Sequence, residues 1–229
     1  METFSPISYD LFDFLTDLEI NNNRQWFAEQ KTKYSDVVLT PAVNLCRELE
    51  IALRACAPHI TVQPKPYRGS VMRVYRDTRF TKDKKPFKTN VGIFLRHEAG
   101  RDIHAPGIYI HLEPRNCFIG FGCWKPDRVT LSKIRRAIID RPTAWKRVVN
   151  RIHNHTELEI GGNKLIRGPR DLPKDHPCIE DLKRTDFILS GKLQEQDFVK
   201  SNPIPTLIQH VDSAKPWMRF LCHSMDLNY

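Results

Sequence analysis

The residues best suited to do chemistry crowd into one run, Arg73-Val-Tyr-Arg76-Asp77-Thr-Arg79-Phe80-Thr-Lys82-Asp83-Lys84-Lys85-Pro86-Phe87-Lys88. Guanidinium is the group for planar, two-point contact with phosphate or carboxylate. Arg73, Arg76 and Arg79, followed by Lys84 and Lys88, can therefore surround an anion, with Tyr75 beside them. Asp77 adds a carboxylate to the same run. A second set, Tyr109, His111 and Glu113, alternates with Ile108, Ile110 and Leu112, so the three polar side chains share one face of a strand. A titratable imidazole with carboxylates and an anion-binding guanidinium makes up the parts of a general acid/base site. If the two segments are neighbours in a sheet, Arg73, Asp77, His111 and Glu113 converge. The expected site then has Asp77, His111 and Glu113 handling protons, while Arg73, Tyr75, Arg76, Arg79, Lys84, Lys88 and Tyr109 bind the ligand. No cofactor or metal is specified. A structural account competes, in which Asp77 and Asp83 pair with neighbouring Arg or Lys and pin a loop without touching any ligand. On either account Arg76, Asp77 and Arg79 are expected to be less exposed than ordinary surface charges, with Asp77 accepting a charge-assisted hydrogen bond.

The charge pattern agrees with an anionic partner. The 229-residue chain carries 36 Lys and Arg against 27 Asp and Glu, a net +9. From Lys65 to Lys88 nine Lys/Arg stand against two Asp, and from Lys125 to Arg151 nine stand against two again; each stretch sums to +7, and the remainder to −5. Such polarisation suits a nucleotide, a nucleic acid or a phosphorylated metabolite. For the second stretch, solvated helix faces are the simpler explanation. The partner expected first is a phosphate-bearing or other anionic small molecule. A nucleic acid is the alternative, with Tyr75, Phe80 or Phe87 stacking on bases, although no named nucleic-acid motif is present. A non-enzymatic interaction protein with a purely structural Arg/Asp network is the third reading. The sequence does not specify oligomeric state.

Around these residues the sequence sets out an ordered series of elements. Leu11, Phe14, Leu15 and Leu18 recur at helical spacing, and Asn21-Asn22-Asn23 closes that helix before Arg24 opens another. Thr40-Pro41 reads as an N-cap with proline in the first turn, leading a helix with Leu45, Leu49, Ala52, Leu53 and Cys56 on one face. Period-two alternation then predicts strands at Met72–Tyr75 (Met72 and Val74 inward), Val91–Leu95, Ile108–Glu113 and Ile119–Cys123, the last two joined by a hairpin at Pro114–Asn116. Asp127 caps a helix carrying Leu131, Ile134 and Ile138, and Pro142 starts another with Trp145, Val148, Val149 and Ile152. Phe187–Gly191 suggests a further strand. A closing helical segment runs through Ile204–Leu221, with Pro216 as a break. Helices, then strands, then helices predict a single α+β domain over 1–229, a largely antiparallel central sheet with N- and C-terminal helices packed on it.

The run Arg73-x-x-Arg76-Asp77-x-Arg79-Phe80, followed by Asp83-Lys84 and an aromatic at Phe87, resembles the signature of DUF2461 (TIGR02453), a bacterial family of unknown function. Asn22–Phe27, Gly120-Phe-Gly122 with Leu131, Arg135 and Ile138, and His176-Pro177 with Asp186-Phe187 resemble its other motifs. Phe87 stands where the family usually has Tyr. The resemblance implies a single bacterial domain and supplies no reaction. Glu2 and Asp10 argue against a signal peptide, and the longest apolar runs are well short of the ~20 residues that span a bilayer. The expected location is cytoplasmic, with no membrane partner. The six cysteines contain no Cys-x-x-Cys pair and read as buried thiols.

Overall fold

The computed structural model describes residues 7–100, 104–168, 173, 175–200 and 202–229. Its helices are α1 (Tyr9–Ile20), α2 (Arg24–Glu29), α3 (Lys31–Tyr34), α4 (Thr40–Cys56), α5 (Arg128–Asp140), α6 (Pro142–His155), α7 (Ile179–Leu182), α8 (Gln196–Val199) and α9 (Ile204–Ser224). Strands β1 (Ile60–Thr61), β2 (Val91–His97), β3 (Gly107–Leu112), β4 (Cys117–Cys123), β5 (Glu159–Gly161) and β6 (Phe187–Leu193) form one antiparallel sheet in the order β1-β2-β3-β4-β6-β5. This is a single-domain α+β arrangement, as the element order predicts.

The pleat sorts the sheet into two faces. Val91, Ile93, Leu95, Ile108, Ile110, Leu112, Ile119, Phe121, Phe187 and Leu189 are buried under α4, α6 and α9. The heart of that layer is aromatic: Trp145 and Trp217 are fully buried, 5.1 Å apart, with Phe187 and Phe220 against Trp145. On the other face Phe94, Tyr109, His111, Phe118 and Ser190 are half-buried, and Arg96 and Lys192 are exposed. The hydrophobic alternation that fills the core thus leaves a polar and aromatic face available for chemistry.

Local signals act as the sequence implies at several ends. Asn23 accepts from the Trp26 N–H at 3.0 Å and caps α2, and Asp127 caps α5 through the Thr130 N–H at 2.7 Å. Three readings need correction. Thr40 does not cap a helix, because the chain is already helical from Lys31 and passes through a π-helical stretch, Ser35–Leu39, into α4. Proline lacks an N–H and crowds the preceding turn, and a widened turn just before Pro41 accommodates both defects. Pro216 does not break α9. The carbonyl it leaves without a donor belongs to exposed Asp212, while buried Val211, Ala214, Trp217 and Met218 hold the helix on both sides.

The third correction bears on the site. Met72–Tyr75 is not a strand; the chain there makes two isolated bridges, Val71 with Ile93 just before it and Tyr75 with Phe87 at its end. Ser70 and Met72 bond to β2 (Phe94 N–H to Ser70 O and Met72 N–H to Gly92 O, both 2.8 Å), whereas Val74 and Arg76 bond to Lys88 and Pro86. This change of partner turns the chain, so Val71 and Val74 are buried and Met72 faces outward at 43% exposure.

Candidate functional site

Three consecutive outward positions around β3 carry a continuous hydrogen-bonded chain. Tyr109 Oη lies 2.9 Å from His111 Nδ1, and His111 Nε2 lies 3.2 Å from Glu113 Oε2. Strand neighbours would normally project in parallel without touching in line; here the cross-strand surroundings bend them together. His111 stacks on Phe118 of β4 (4.6 Å between centroids, 16° between planes). The Tyr109 ring leans over Gly92 of β2, where a Cβ would meet Tyr109 Oη at 2.8 Å and Met72 Sδ at 3.1 Å. Glycine at that position leaves room for the phenol.

The partners fix one protonation pattern. Glu113 also accepts from Asn116 Nδ2 at 2.7 Å and Thr89 Oγ1 at 3.4 Å. Burial pushes its carboxyl up, but the hydrogen bonds from Asn116 and His111 outweigh it and hold Glu113 below the usual carboxylate range. With Glu113 ionised and the imidazole neutral, His111 Nε2 carries the hydrogen and Nδ1 accepts from Tyr109 Oη–H, while Asn90 Nδ2 lies 3.4 Å from the same nitrogen. Burial raises the Tyr109 phenol, so it rests protonated. A proton leaving that phenol would go to His111, beside a carboxylate that stabilises the imidazolium.

The cations divide into two groups. In the loop after Tyr75, Arg76 Nη1 donates to Asp83 Oδ2 at 2.5 Å, and Arg79 donates to both Asp77 oxygens at 2.9 and 2.7 Å. Hydrogen bonds from Arg79 hold the Asp77 carboxyl down at about 2, and Lys84 Nζ donates to the Thr78 carbonyl at 2.9 Å. Asp77 accordingly accepts the expected charge-assisted bonds. The expected burial is not found: side-chain exposures are 30% for Arg76, 44% for Asp77 and 75% for Arg79. Asp77 and Arg79 lie at a tip where chain surrounds them on too few sides to exclude water.

Arg73 and Lys88 differ. Among the described residues neither forms an ion pair with a carboxylate. The two are near enough that the Arg73 charge adds to burial in lowering the Lys88 ammonium. Lys88 directly precedes Thr89 and Asn90, whose side chains reach Glu113 and His111. The structure thus brings Tyr109, His111 and Glu113 into one chain, and sets Asp77, Arg76, Arg79 and Lys84 in a separate loop with Tyr75 at its base. Among the described residues no hydrogen bond or ion pair joins the two sets. Thr89, Asn90, Asn116 and Phe118 were not anticipated. In the sequence they are one turn asparagine and the residues just before or within apolar strands, with no spacing that marks them.

Two surface clefts adjoin this region or the second basic stretch. One of about 410 Å³ begins at Asn116 and Phe118 and continues along Arg115, Glu159, Ser190 and Lys192. Another of about 640 Å³ lies between α5 and the end of α9, lined by Arg128, Lys133, Arg136, Arg141, His223 and Asp226. Its charges are partly neutralised, Lys133 by Asp226 at 3.6 Å and Arg136 by Asp140 at 3.0 Å. Among the described residues no group of three or more His, Cys, Asp or Glu gathers as a metal-ligand set. Nor is any helix there long and apolar enough to cross a membrane.

Fold and site together define an α+β domain with a helix-backed antiparallel sheet, whose open face carries a Tyr-His-Glu hydrogen-bond chain. The model of the family described as "Conserved hypothetical protein (DUF2461)" matches residues 10–220, and the chain belongs to that family. No curated protein and no solved structure matches it.

Proposed function

We propose that this protein binds a phosphate-bearing ligand at Arg73 and Lys88 and moves a proton through Tyr109, His111 and Glu113. The observation that carries the reading is the unbroken hydrogen-bond chain of Tyr109 Oη, His111 and Glu113, anchored at its far end by Asn116. Arg73 and Lys88 form no ion pair with a carboxylate among the described residues, and Lys88 directly precedes Thr89 and Asn90, which orient that chain. A ligand group above Tyr109 exchanges a proton with the phenol. The phenol passes its own proton to His111 Nδ1, and Glu113 holds the resulting positive charge. Asp77, Arg76, Arg79 and Lys84 shape the loop beside this site.

A thermal-shift screen of nucleotides and sugar phosphates identifies the ligand, and calorimetry on variants locates it. Arg73→Ala and Lys88→Ala are each expected to weaken binding about 10- to 150-fold, the loss of one charged hydrogen bond of roughly 1.5–3 kcal/mol. Tyr109→Phe and His111→Gln are expected to keep the affinity and lower turnover about 10²- to 10⁴-fold, the usual contribution of a positioned acid or base. No stabilisation by any phosphate compound, or wild-type affinity in Arg73→Ala and Lys88→Ala, overturns the reading.

A further inference from the structure

Between Arg76 and Pro86 the loop is tied to itself. The Arg76 N–H donates to the Pro86 carbonyl at 2.9 Å and closes its base. Inside, Asp83 accepts from Arg76 Nη1 at 2.5 Å and from the Lys85 N–H at 3.0 Å, and its own N–H and carbonyl both bond to Thr81 Oγ1 at 3.0 Å. Asp77 holds Arg79 through its N–H at 3.2 Å as well as its guanidinium. Both acids of the loop are spent on its own shape. At the tip of this framework Phe80 is 92% exposed, with the Arg79 guanidinium 5.4 Å from its ring centroid. Tyr75, at 54%, is exposed at the base, and Tyr67, at 77%, precedes the run.

A phenyl ring in water is unfavourable, and this loop does not fold it back. Its neighbours in the chain, Arg79, Thr81 and Lys82, are polar or charged. That arrangement fits neither a bilayer nor a hydrophobic protein interface, both of which need contiguous apolar area. It matches a flat, uncharged ring system carried between anionic groups. Among the described residues Lys82 and Lys85 of the loop, and Arg73 and Lys88 on either side of it in the chain, form no ion pair with a carboxylate.

We infer that this loop binds single-stranded nucleic acid: an unpaired base stacks on Phe80, and the flanking phosphates meet Lys82 and Lys85 before the strand reaches Arg73 and Lys88. The inference rests on the preceding reading of Arg73 and Lys88 as phosphate-binding groups, and it names the ligand as a phosphodiester strand. An aromatic platform beside a basic track is the usual device for sequence-tolerant binding of single strands.

Fluorescence anisotropy with labelled mixed-sequence oligonucleotides tests it, with RNA, DNA and duplex in separate arms. Binding is expected in the RNA or the DNA single-strand arm, weaker for duplex, and falling as salt rises. Phe80→Ala is expected to weaken it about 5- to 150-fold, the range for removing one stacking ring. Its melting temperature should be unchanged, because the side chain packs against almost nothing. The double variant Lys82→Gln/Lys85→Gln is expected to lower the slope of log K against log salt by about 1.4, roughly 0.7 per lost contact. Three results overturn the inference: no single-strand binding at low salt, wild-type affinity in Phe80→Ala, or a change of sedimentation mass in Phe80→Ala that makes the ring a subunit contact. If a small phosphate compound stabilises the protein while single strands do not bind, this inference alone fails. Should strands bind with Arg73→Ala and Lys88→Ala indistinguishable from wild type, the preceding reading fails.

Discussion

Two residue types occur here in two different states. Arg76 and Arg79 are neutralised by Asp83 and Asp77, whereas among the described residues Arg73 and Lys88 form no ion pair, and the Arg73 charge helps to lower the Lys88 ammonium. The carboxylates differ as well. Glu113 is held ionised by side chains at the sheet face. Asp186 is 1% exposed and accepts from the Lys125 N–H at 2.6 Å, the Asn163 N–H at 3.2 Å and Asn163 Nδ2 at 3.1 Å. Burial raises the Asp186 carboxyl, but these bonds outweigh it and leave it lowered. Asp186→Ala strands two backbone donors at the turns it joins and is expected to cost about 2–4 kcal/mol in urea unfolding. For Glu113 the direction of the pH effect follows from its lowered carboxyl. A depressed folded-state value gives stability that is complete above the unfolded value near 4.3 and is lost as pH falls through the folded one. Between about pH 6 and about pH 3 the wild type should therefore lose more stability than Glu113→Gln, measured as urea midpoints. Equal losses would mean that Glu113 is not held ionised by His111 and Asn116.

At the scale of elements, the loop that presents the cations is fastened to the N-terminal helices. Asn22, between α1 and α2, bonds the Phe87 backbone on both sides, accepting its N–H at 3.0 Å and donating to its carbonyl at 3.1 Å, so one side chain stands in for a paired strand residue. Phe27 of α2 stacks on Phe87 at 4.1 Å. Asn22→Ala is expected to destabilise the protein by about 1–3 kcal/mol and to speed hydrogen exchange at the Phe87 amide. Unchanged protection there would show that the Phe27 stack alone holds the loop. The helical motif and the charged run, far apart in sequence, are thus one unit, and the sequence gives no sign of the bond between them. Other parts were legible. Strict alternation in Val91–Leu95, Ile108–Glu113 and Ile119–Cys123 predicted β2, β3 and β4, because each has one face in the core, and the same alternation put Tyr109, His111 and Glu113 together. Alternation misled at Met72–Val74, where the chain changes partners, and it is silent about β1 and β5, which are too short to show a period. The asparagines that complete the site act through side-chain hydrogen bonds, which leave no periodic trace.

On the scale of the whole molecule, all six cysteines are free thiols; five are buried and Cys56 is half-buried. Burial pushes Cys46 and Cys222 up to about 12 and Cys117 to about 11, so none of these three is a thiolate near neutrality. An aromatic disulfide reagent at about pH 8 is expected to modify Cys56 first and the rest only on global unfolding. Rapid native labelling of Cys46 or Cys222 would contradict the packing of α4 against α9. The strand order has a further consequence. β2, β3 and β4 follow one another along the chain and pair in that order, so their ladders close over short loops. Cys123 and Phe187 are register partners, however, and everything from α5 to α7 lies between them in the chain. Loop-closure entropy makes the three-stranded meander the cheap nucleus and the docking of β6 the slow step. The Tyr109–His111–Glu113 chain and the Phe118 ring lie within that meander or its turn. During refolding the geometry of that hydrogen-bonded chain should thus be assembled before the sheet is complete.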